Sequence, residues 1–496
     1  MAIFDLGLDV LSQRTSMKWT RFAPDVLPMW VAEMDVLSPP GVTRAMQHIL
    51  EIGDLGYPGY DSLPTAFADF AAATWGLELD ARRLLPCADV VSGMAVLVDA
   101  FTPAGSSIVI NSPIYPPFRI SGAVGERPLV EAAMTPEGRL DLDALEAVFS
   151  REAVKGYLLC NPHNPHGSVP TPDELAAVAQ LARRYDVVVI SDEIHGPLVA
   201  PDATFTSYLQ VPGSENGFVV TSASKAFNLA ALKAGLLIGG AEVVHALWKL
   251  PYEVRAGSSH LGLMLQAAGL NHDRDWLAQL NTEIAANKIL LASLLPEVGL
   301  SYTPSAGTYL AWVDASPLGF ENAAVTIRER GKVAFNPGTD YAGDSVQWVR
   351  INLAALKAGL LIGGAEVVHA LWKLPYEVRA GSSHLGLMLQ AAGLNHDRDW
   401  LAQLNTEIAA NKVLLASLLP EVGLSYTPSA STYLAWVDAS PLGFSHPAVT
   451  LRERGKVAFN PGTDYAGDHA QWIRINLATS PAIIREAVRR IGVARG

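Results

Sequence analysis

"TPDELAAVAQLARRYDVVVISDE", residues 171–193, contains a helix, a turn and a strand in that order. Thr171 can cap the helix, Pro172 suits the first helical position, and Glu174 completes a capping box. Leu175, Val178, Ala179 and Ala182 follow as one apolar stripe at helical spacing. The next run, 186–193, is apolar on both faces, as a strand covered by helices on both sides must be. Runs of the same kind occur at 106–111, 156–161, 217–222 and 234–240. Read together they predict buried parallel strands alternating with helices, an α/β domain with a mostly parallel sheet. Such sheets bind ligands beyond the carboxyl ends of their strands, so chemistry is expected just after each run.

Bulk properties narrow the class. The chain has 496 residues, half of them hydrophobic and 17% charged, with a formal net charge of −13. That composition supports a large packed core and more than one domain. The acidic balance disfavours nucleic acid and anionic membranes as partners. Cys87 and Cys160 are the two cysteines, so no disulfide framework is implied, and a reducing cytoplasm is the expected compartment. No run reaches the ~18 to 20 uninterrupted apolar residues of a membrane span. The first residues lack a basic stretch followed by an apolar one, so no signal peptide is expected.

The residues just after the strands form a chemical set. Asp192 and Glu193 end the 186–193 strand, Asn164 lies in "CNPHNPHG" (160–167), and Lys225 lies in "SASKAF" (222–227). "VVSGMAVLVDAF" (90–101) puts Ser92 and Gly93 at the start of an apolar helix, where an anion can be held. Singly each has a plain reading: a snorkelling lysine, a surface charge, a turn asparagine, an ordinary helix start. Jointly they offer an amine, a carboxylate, an amide donor and a phosphate cradle. Pyridoxal 5'-phosphate needs those parts, for its aldehyde, ring nitrogen, phenolic oxygen and phosphate. No metal site is expected.

Seven motifs then carry a resemblance, in order along the chain: "PMWVAEMDV" (28–36), "GYPGY" (56–60), "NSPIYPPF" (111–118), "CNPHNPHG" (160–167), "SDEIHGPLV" (191–199), "SASKAFNLAALK" (222–233) and "FNPGTDYAGD" with "WIRINLATSP" (459–481). The chain resembles fold-type I pyridoxal-phosphate enzymes of the class I/II aminotransferase superfamily, and more narrowly MalY/PatB-type cystathionine β-lyases. The resemblance implies a mostly parallel seven-stranded sheet sandwiched by helices, plus a smaller α/β C-terminal domain. It implies that Lys225 carries the cofactor and later moves the substrate proton, that Asp192 pairs with the ring nitrogen, and that Asn164 and His195 serve the phenolic oxygen. Tyr115 would stack on the ring. Gly93, Met94, Ser222 and Lys233 would hold the phosphate, and Tyr57 would reach the phosphate of a neighbouring subunit, which implies a homodimer. The arginine of "RIN" would grip the substrate carboxylate, a task suited to its planar fork. The implied activity is a carbon–sulfur β-lyase acting on cystathionine or a related cysteine conjugate. An aminotransferase, or a regulatory protein on the same fold, are the alternatives.

One feature is foreign to such a chain. Residues 228–351 and 352–475 align without a gap and differ at few positions, among them Ile289/Val413, 321–323 against 445–447, Ile327/Leu451 and Val349/Ile473. The "RIN" arginine therefore occurs twice, as Arg350 and Arg474, whereas Lys225, Asp192 and Asn164 lie outside the repeat. The expected organisation is an N-terminal arm with part of the small domain (1–45), a cofactor-binding large domain (46–275), a first small domain (276–351), the repeated segment (352–475) and a C-terminal helix (476–496). Because that helix follows copy two, copy two is expected to complete the small domain, with Arg474 rather than Arg350 as the carboxylate anchor.

Overall fold

Residues 3–4, 6–23, 25–355, 398–465, 467 and 469–495 are described in the computed structural model. They divide into two units, Met1–Gly386 and Leu387–Gly496, so the one break falls inside the second copy of the repeat. The expected boundaries at 45 and 275 are not breaks of this kind. The copy of the 234–240 strand, at 358–364, lies outside the described residues.

The first unit's strands begin with Leu27–Pro28 (β1), followed by Leu85–Cys87 (β2), Ser107–Ser112 (β3), Leu129–Ala133 (β4), Val154–Cys160 (β5), Val188–Asp192 (β6), Phe218–Thr221 (β7) and Gly235–Gly239 (β8). Seven of them form one sheet in the order β2-β8-β7-β6-β5-β3-β4. The pairings among β3, β4, β5, β6 and β7 are parallel. The expectation of a parallel strand at 234–240 is corrected, because β8 runs antiparallel to both β7 and β2. A parallel return needs a crossover, usually a helix, and the connection 222–234 holds none. That same connection carries Lys225 across the end of the sheet.

Side-chain alternation builds two cores from one sheet. Ile108, Ile110, Leu158, Ile190, Val220 and Leu237 point to the face covered by Val90–Phe101 (α1), which contributes Met94, Leu97 and Val98. Val109, Tyr157, Leu159, Val189 and Val219 point the other way, towards Pro172–Tyr185 (α2) and its stripe Leu175, Val178 and Ala179. The capping box at Thr171 and Glu174 forms as its sequence predicts. Each large apolar side chain so buried contributes about 1.5–3 kcal/mol.

The two copies of the repeat build the same small sheet. In the first unit Leu310–Asp314 (β9), Val333–Ala334 (β10), Asn336–Pro337 (β11) and Trp348–Asn352 (β12) follow Arg274–Leu294 (α3). In the second, Leu434–Asp438 (β13), Asn460–Pro461 (β14) and Trp472–Asn476 (β15) follow Arg398–Leu418 (α4). Arg350 sits opposite Trp312 in one ladder and Arg474 opposite Trp436 in the other. The surroundings differ. In the first unit β1 adds to β10 in parallel, and Met29 enters the small core. In the second, the C-terminal helix Pro481–Arg495 (α5) closes the core with Ile484, Val488 and Ile491. Val298 is accordingly 59% exposed but its counterpart Val422 only 6%, and Tyr465 is 49% exposed but its counterpart Tyr341 only 1%.

Candidate active site

A cavity of about 170 Å³ opens at the carboxyl ends of the parallel strands, with Asn164, Asp192, His195, Ser222, Lys225 and Lys233 among its lining. Each arrives from a strand end, which is why residues remote in sequence meet. Asp192 is the last residue of β6, and its buried carboxylate accepts a hydrogen bond from the Ile194 amide at 3.0 Å. Burial raises its pKa to about 7, against the downward pull of the Lys225 charge. Glu193, one residue on, leaves by the opposite face. Its carboxylate accepts from the Tyr208 amide at 2.7 Å and from Ser191 Oγ at 3.0 Å, a structural role.

Lys225 donates from Nζ to the Ala32 carbonyl at 2.7 Å, and Tyr309 Oη donates to the same oxygen at 3.0 Å. Burial first, and then the Arg350 charge, lower its pKa to about 8. The amine is thus partly neutral near physiological pH, as a nucleophile or base requires. His195 is buried, and its pKa falls to about 3 through burial, with Lys225 and Arg350 adding to the effect. Its Nδ1 has no hydrogen-bond partner among the described residues. Tyr115 lines the cavity, and its amide donates to the Asn164 carbonyl at 3.1 Å.

The anion end differs in detail from expectation. Ser222 Oγ is engaged with the Ala234 carbonyl at 2.7 Å and Gln266 Oε1 at 3.0 Å. Lys233 pairs with Asp89 at 2.8 Å, and Asp89 caps α1 through the Ser92 amide. The Gly93 amide already donates to the Asp89 carbonyl, so neither it nor the Met94 amide, a turn inside α1, is a free donor. The first-turn residues facing the cavity are Val90 and Val91. Gly93 serves packing instead, since a Cβ there would stand 2.8 Å from Leu237 and 2.9 Å from Val220. Tyr57 lies away from this cavity and is 99% exposed.

Arg350 is the arginine at the site. It is buried, and its Nη1 donates to Asn164 Oδ1 at 3.2 Å. Its Nη2 donates to the Trp30 carbonyl at 2.9 Å and to Asn336 Oδ1 at 2.6 Å. Arg474 belongs to the second unit, where it donates to Asn460 and lies over Tyr465. In the first unit it is copy one that forms a small sheet and puts its arginine beside Asn164, where the sequence reading expected copy two and Arg474. The reason is β1: the N-terminal arm adds to copy one and brings Trp30 and Ala32 to Arg350 and Lys225.

A family model described as "Aminotransferase class I and II" matches residues 25–368 and again 354–491. The chain belongs to the aminotransferase class I and II family. Two matches, the second confined to the C-terminal part of the chain, reflect the repeat seen in the sequence. Within the family the chain is 40% identical over 388 residues to a Mycobacterium tuberculosis protein named "Putative cystathionine beta-lyase", covering 72% of this chain and 95% of that one. It is 32% identical over 371 residues to the "Cystathionine beta-lyase" of Corynebacterium glutamicum, covering 73% and 99%. Among solved structures, a "putative plp-dependent beta-cystathionase" from Corynebacterium diphtheriae superposes with a TM-score of 0.68 at 32% identity, over 72% of this chain and 95% of that one.

Several residues of this family member's site are silent in a motif reading. Tyr309 donates to the Ala32 carbonyl that receives the Lys225 amine. Lys288 donates to the carbonyls of Ser305 and Gly307 at 2.7 and 2.8 Å and so fixes the loop that precedes β9. Gly307 threads past the "CNPHNPHG" turn, its amide donating to the Gly167 carbonyl at 2.7 Å. A Cβ there would stand 2.6 Å from Pro162. The Gly307/Ser431 difference was the available signal for which copy builds the site.

Proposed function

We propose that the chain is a pyridoxal-phosphate-dependent carbon–sulfur β-lyase that cleaves cystathionine or a related cysteine S-conjugate to a thiol, pyruvate and ammonia. The observation that carries this reading is the convergence of Lys225, Asp192 and Asn164 on one cavity with Arg350 at its side. This donor set fits the cofactor. The unpartnered Nδ1 of His195 and the unpartnered Nε of Arg350 are buried polar atoms that a polar ligand would satisfy. Asp192 would hold the proton on the ring nitrogen, Asn164 and His195 would face the phenolic oxygen, and Tyr115 would cover the ring. Ser222, Lys233 and the first turn of α1 would take the phosphate.

Bound pyridoxal phosphate supplies the electron sink that makes an amino acid's α-proton removable. The chain's own residues do the rest. Arg350 binds the substrate carboxylate and orients the α-carbon. Lys225, whose amine is partly neutral near pH 7, takes the α-proton, and the thiolate leaves from the β-carbon. Without the cofactor, Lys225 Nζ rests on the Ala32 carbonyl, which also accepts from Tyr309 Oη. The names of the relatives from Mycobacterium tuberculosis and Corynebacterium glutamicum favour elimination over amino transfer. Tyr57, almost fully exposed, is suited to reach a neighbouring subunit in a homodimer. Among the described residues no helix is long and apolar enough to cross a membrane, which is compatible with work in the cytoplasm.

The test is a pyruvate assay with L-cystathionine and no keto-acid acceptor. Pyruvate, ammonia and homocysteine in equal amounts are expected. Strict dependence on 2-oxoglutarate, with glutamate formed, would move the chain to the aminotransferases.

A further inference from the structure

The second unit contains a cavity of about 380 Å³, lined by Val457, Ala458, Arg474, Ile475 and Asn476 on the sheet side and by Ile484 and its neighbours on α5. The equivalent place in copy one is filled. There the Leu27 amide donates to the Lys332 carbonyl at 2.8 Å and the Met29 amide to the Ala334 carbonyl at 3.0 Å. The Asn352 amide donates to the Met29 carbonyl at 2.9 Å, and Asn352 Nδ2 donates to the Val31 carbonyl at 2.8 Å. Arg350 grips the Trp30 carbonyl, and Lys332 pairs with Asp25 at 2.9 Å.

Every one of those seat residues has the same type in copy two: Lys456, Ala458, Arg474 and Asn476. Ala334 is buried beneath the arm, whereas Ala458 is exposed. We infer that the second unit's cavity is a strand seat for an extended segment with the chemistry of residues 25–33, and that its occupant is the N-terminal arm of a second copy of this chain. Charge complementarity favours that occupant. The arm brings Asp25, and the seat offers Lys456, matching the Asp25–Lys332 pair already formed in copy one. The main chain supplies the affinity, by adding a strand along Ala458 while sharing the Lys456 carbonyl with the Arg490 guanidinium that now donates to it at 2.7 Å, and the Leu27 and Met29 side chains supply the fit. The arm of a neighbouring chain thus meets two near-identical seats, its own copy one and the other chain's copy two. Exchange between them is governed by concentration.

The experiment uses the full-length chain and a dye-labelled peptide of residues 25–33, read by fluorescence anisotropy. Saturable binding at one site per chain is expected. Ala458→Glu places a charge at the seat, and Lys456→Glu reverses the charge that receives Asp25. Each should weaken binding at least tenfold while the unfolding midpoint stays unchanged, as both positions are exposed. A peptide carrying Leu27→Asp should not bind. Sedimentation of the intact wild-type chain should show concentration-dependent association that Ala458→Glu reduces. Absence of saturable binding, binding that both variants leave intact, or identical sedimentation of wild type and Ala458→Glu would overturn the proposal.

Discussion

The guanidinium of Arg350 donates to the side-chain oxygen of Asn164 at 3.2 Å, joining the last strand of copy one to the turn after β5. Arg474, at the same position in copy two, donates to Asn460 and lies over Tyr465. Charged hydrogen bonds of this kind contribute about 1.5–3 kcal/mol. Arg350→Ala should therefore lower kcat/KM roughly 10- to 100-fold, mostly through KM. Arg474→Ala should change it less than about twofold. Steady-state kinetics on the two variants checks this, and the reverse ranking would refute the assignment.

Lys225→Ala should remove the long-wavelength absorbance of bound pyridoxal phosphate and all turnover, with the far-ultraviolet circular dichroism unchanged. The wild-type rate of cofactor rebinding should follow the neutral amine. It should rise about tenfold per pH unit below pH 8 and level off above it, given a pKa of about 8. Arg350 is the second cause of that lowering, so in Arg350→Ala the plateau should move to higher pH. Stopped-flow absorbance across pH 6–10 reads both effects.

Asp192 has a folded-state pKa of about 7 against an ordinary 3.8, raised by burial. The folded chain therefore holds more protons at this site than the unfolded chain between those values. Its contribution to stability falls as pH rises from about 4 to 7. Cofactor-free Asp192→Asn should unfold at a higher temperature than wild type at pH 8, and the gain should shrink towards zero at pH 4. Calorimetry at the two pH values tests this. The same variant should lose turnover by a factor on the order of 10² or more, since the ring nitrogen loses its partner.

Gly307→Ser writes the copy-two residue into copy one. Its Cβ would meet Pro162 at 2.6 Å and the Gly167 carbonyl at 3.0 Å. Overpacking at such a site costs about 1–3 kcal/mol, so the denaturation midpoint should fall and Lys288 should lose its carbonyl partners. Ser431→Gly should alter stability by less than about 0.5 kcal/mol. Urea titration of both variants provides the comparison, and equal effects would contradict the assignment of copy one to the site.

The parts of the site that stand at strand ends were legible in the sequence. Asp192, Asn164 and Lys225 come directly after continuous apolar runs, and an open α/β sheet gathers the residues at the carboxyl ends of its strands. The direction of β8 was not legible, because its composition matches a parallel strand and only the helix-free connection before it decides. That the Gly93 amide is spent on the Asp89 carbonyl was not legible either: the motif marks the helix, but Asp89 sets where it starts. The choice between Arg350 and Arg474 could not be read from either arginine, since their immediate neighbours in sequence are alike. It depends on a two-residue strand in the N-terminal arm, far away in sequence, that pairs with Val333–Ala334.

The helix α5 closes copy two, while the matching face of copy one keeps Val298 and Leu294 exposed. This has a consequence for the order of events on the ribosome. Synthesis proceeds at about 5–20 residues per second, so roughly 10 to 40 s separate the emergence of residue 298 from that of α5. Throughout that interval the nascent chain displays an apolar helix face whose natural cover has not yet been made. When α5 does emerge, the link 477–480 ties it to β15, so copy two is the nearer claimant. Copy one matures without it, so Ile289, Leu294 and Val298 remain exposed in the finished chain as they were in the nascent one.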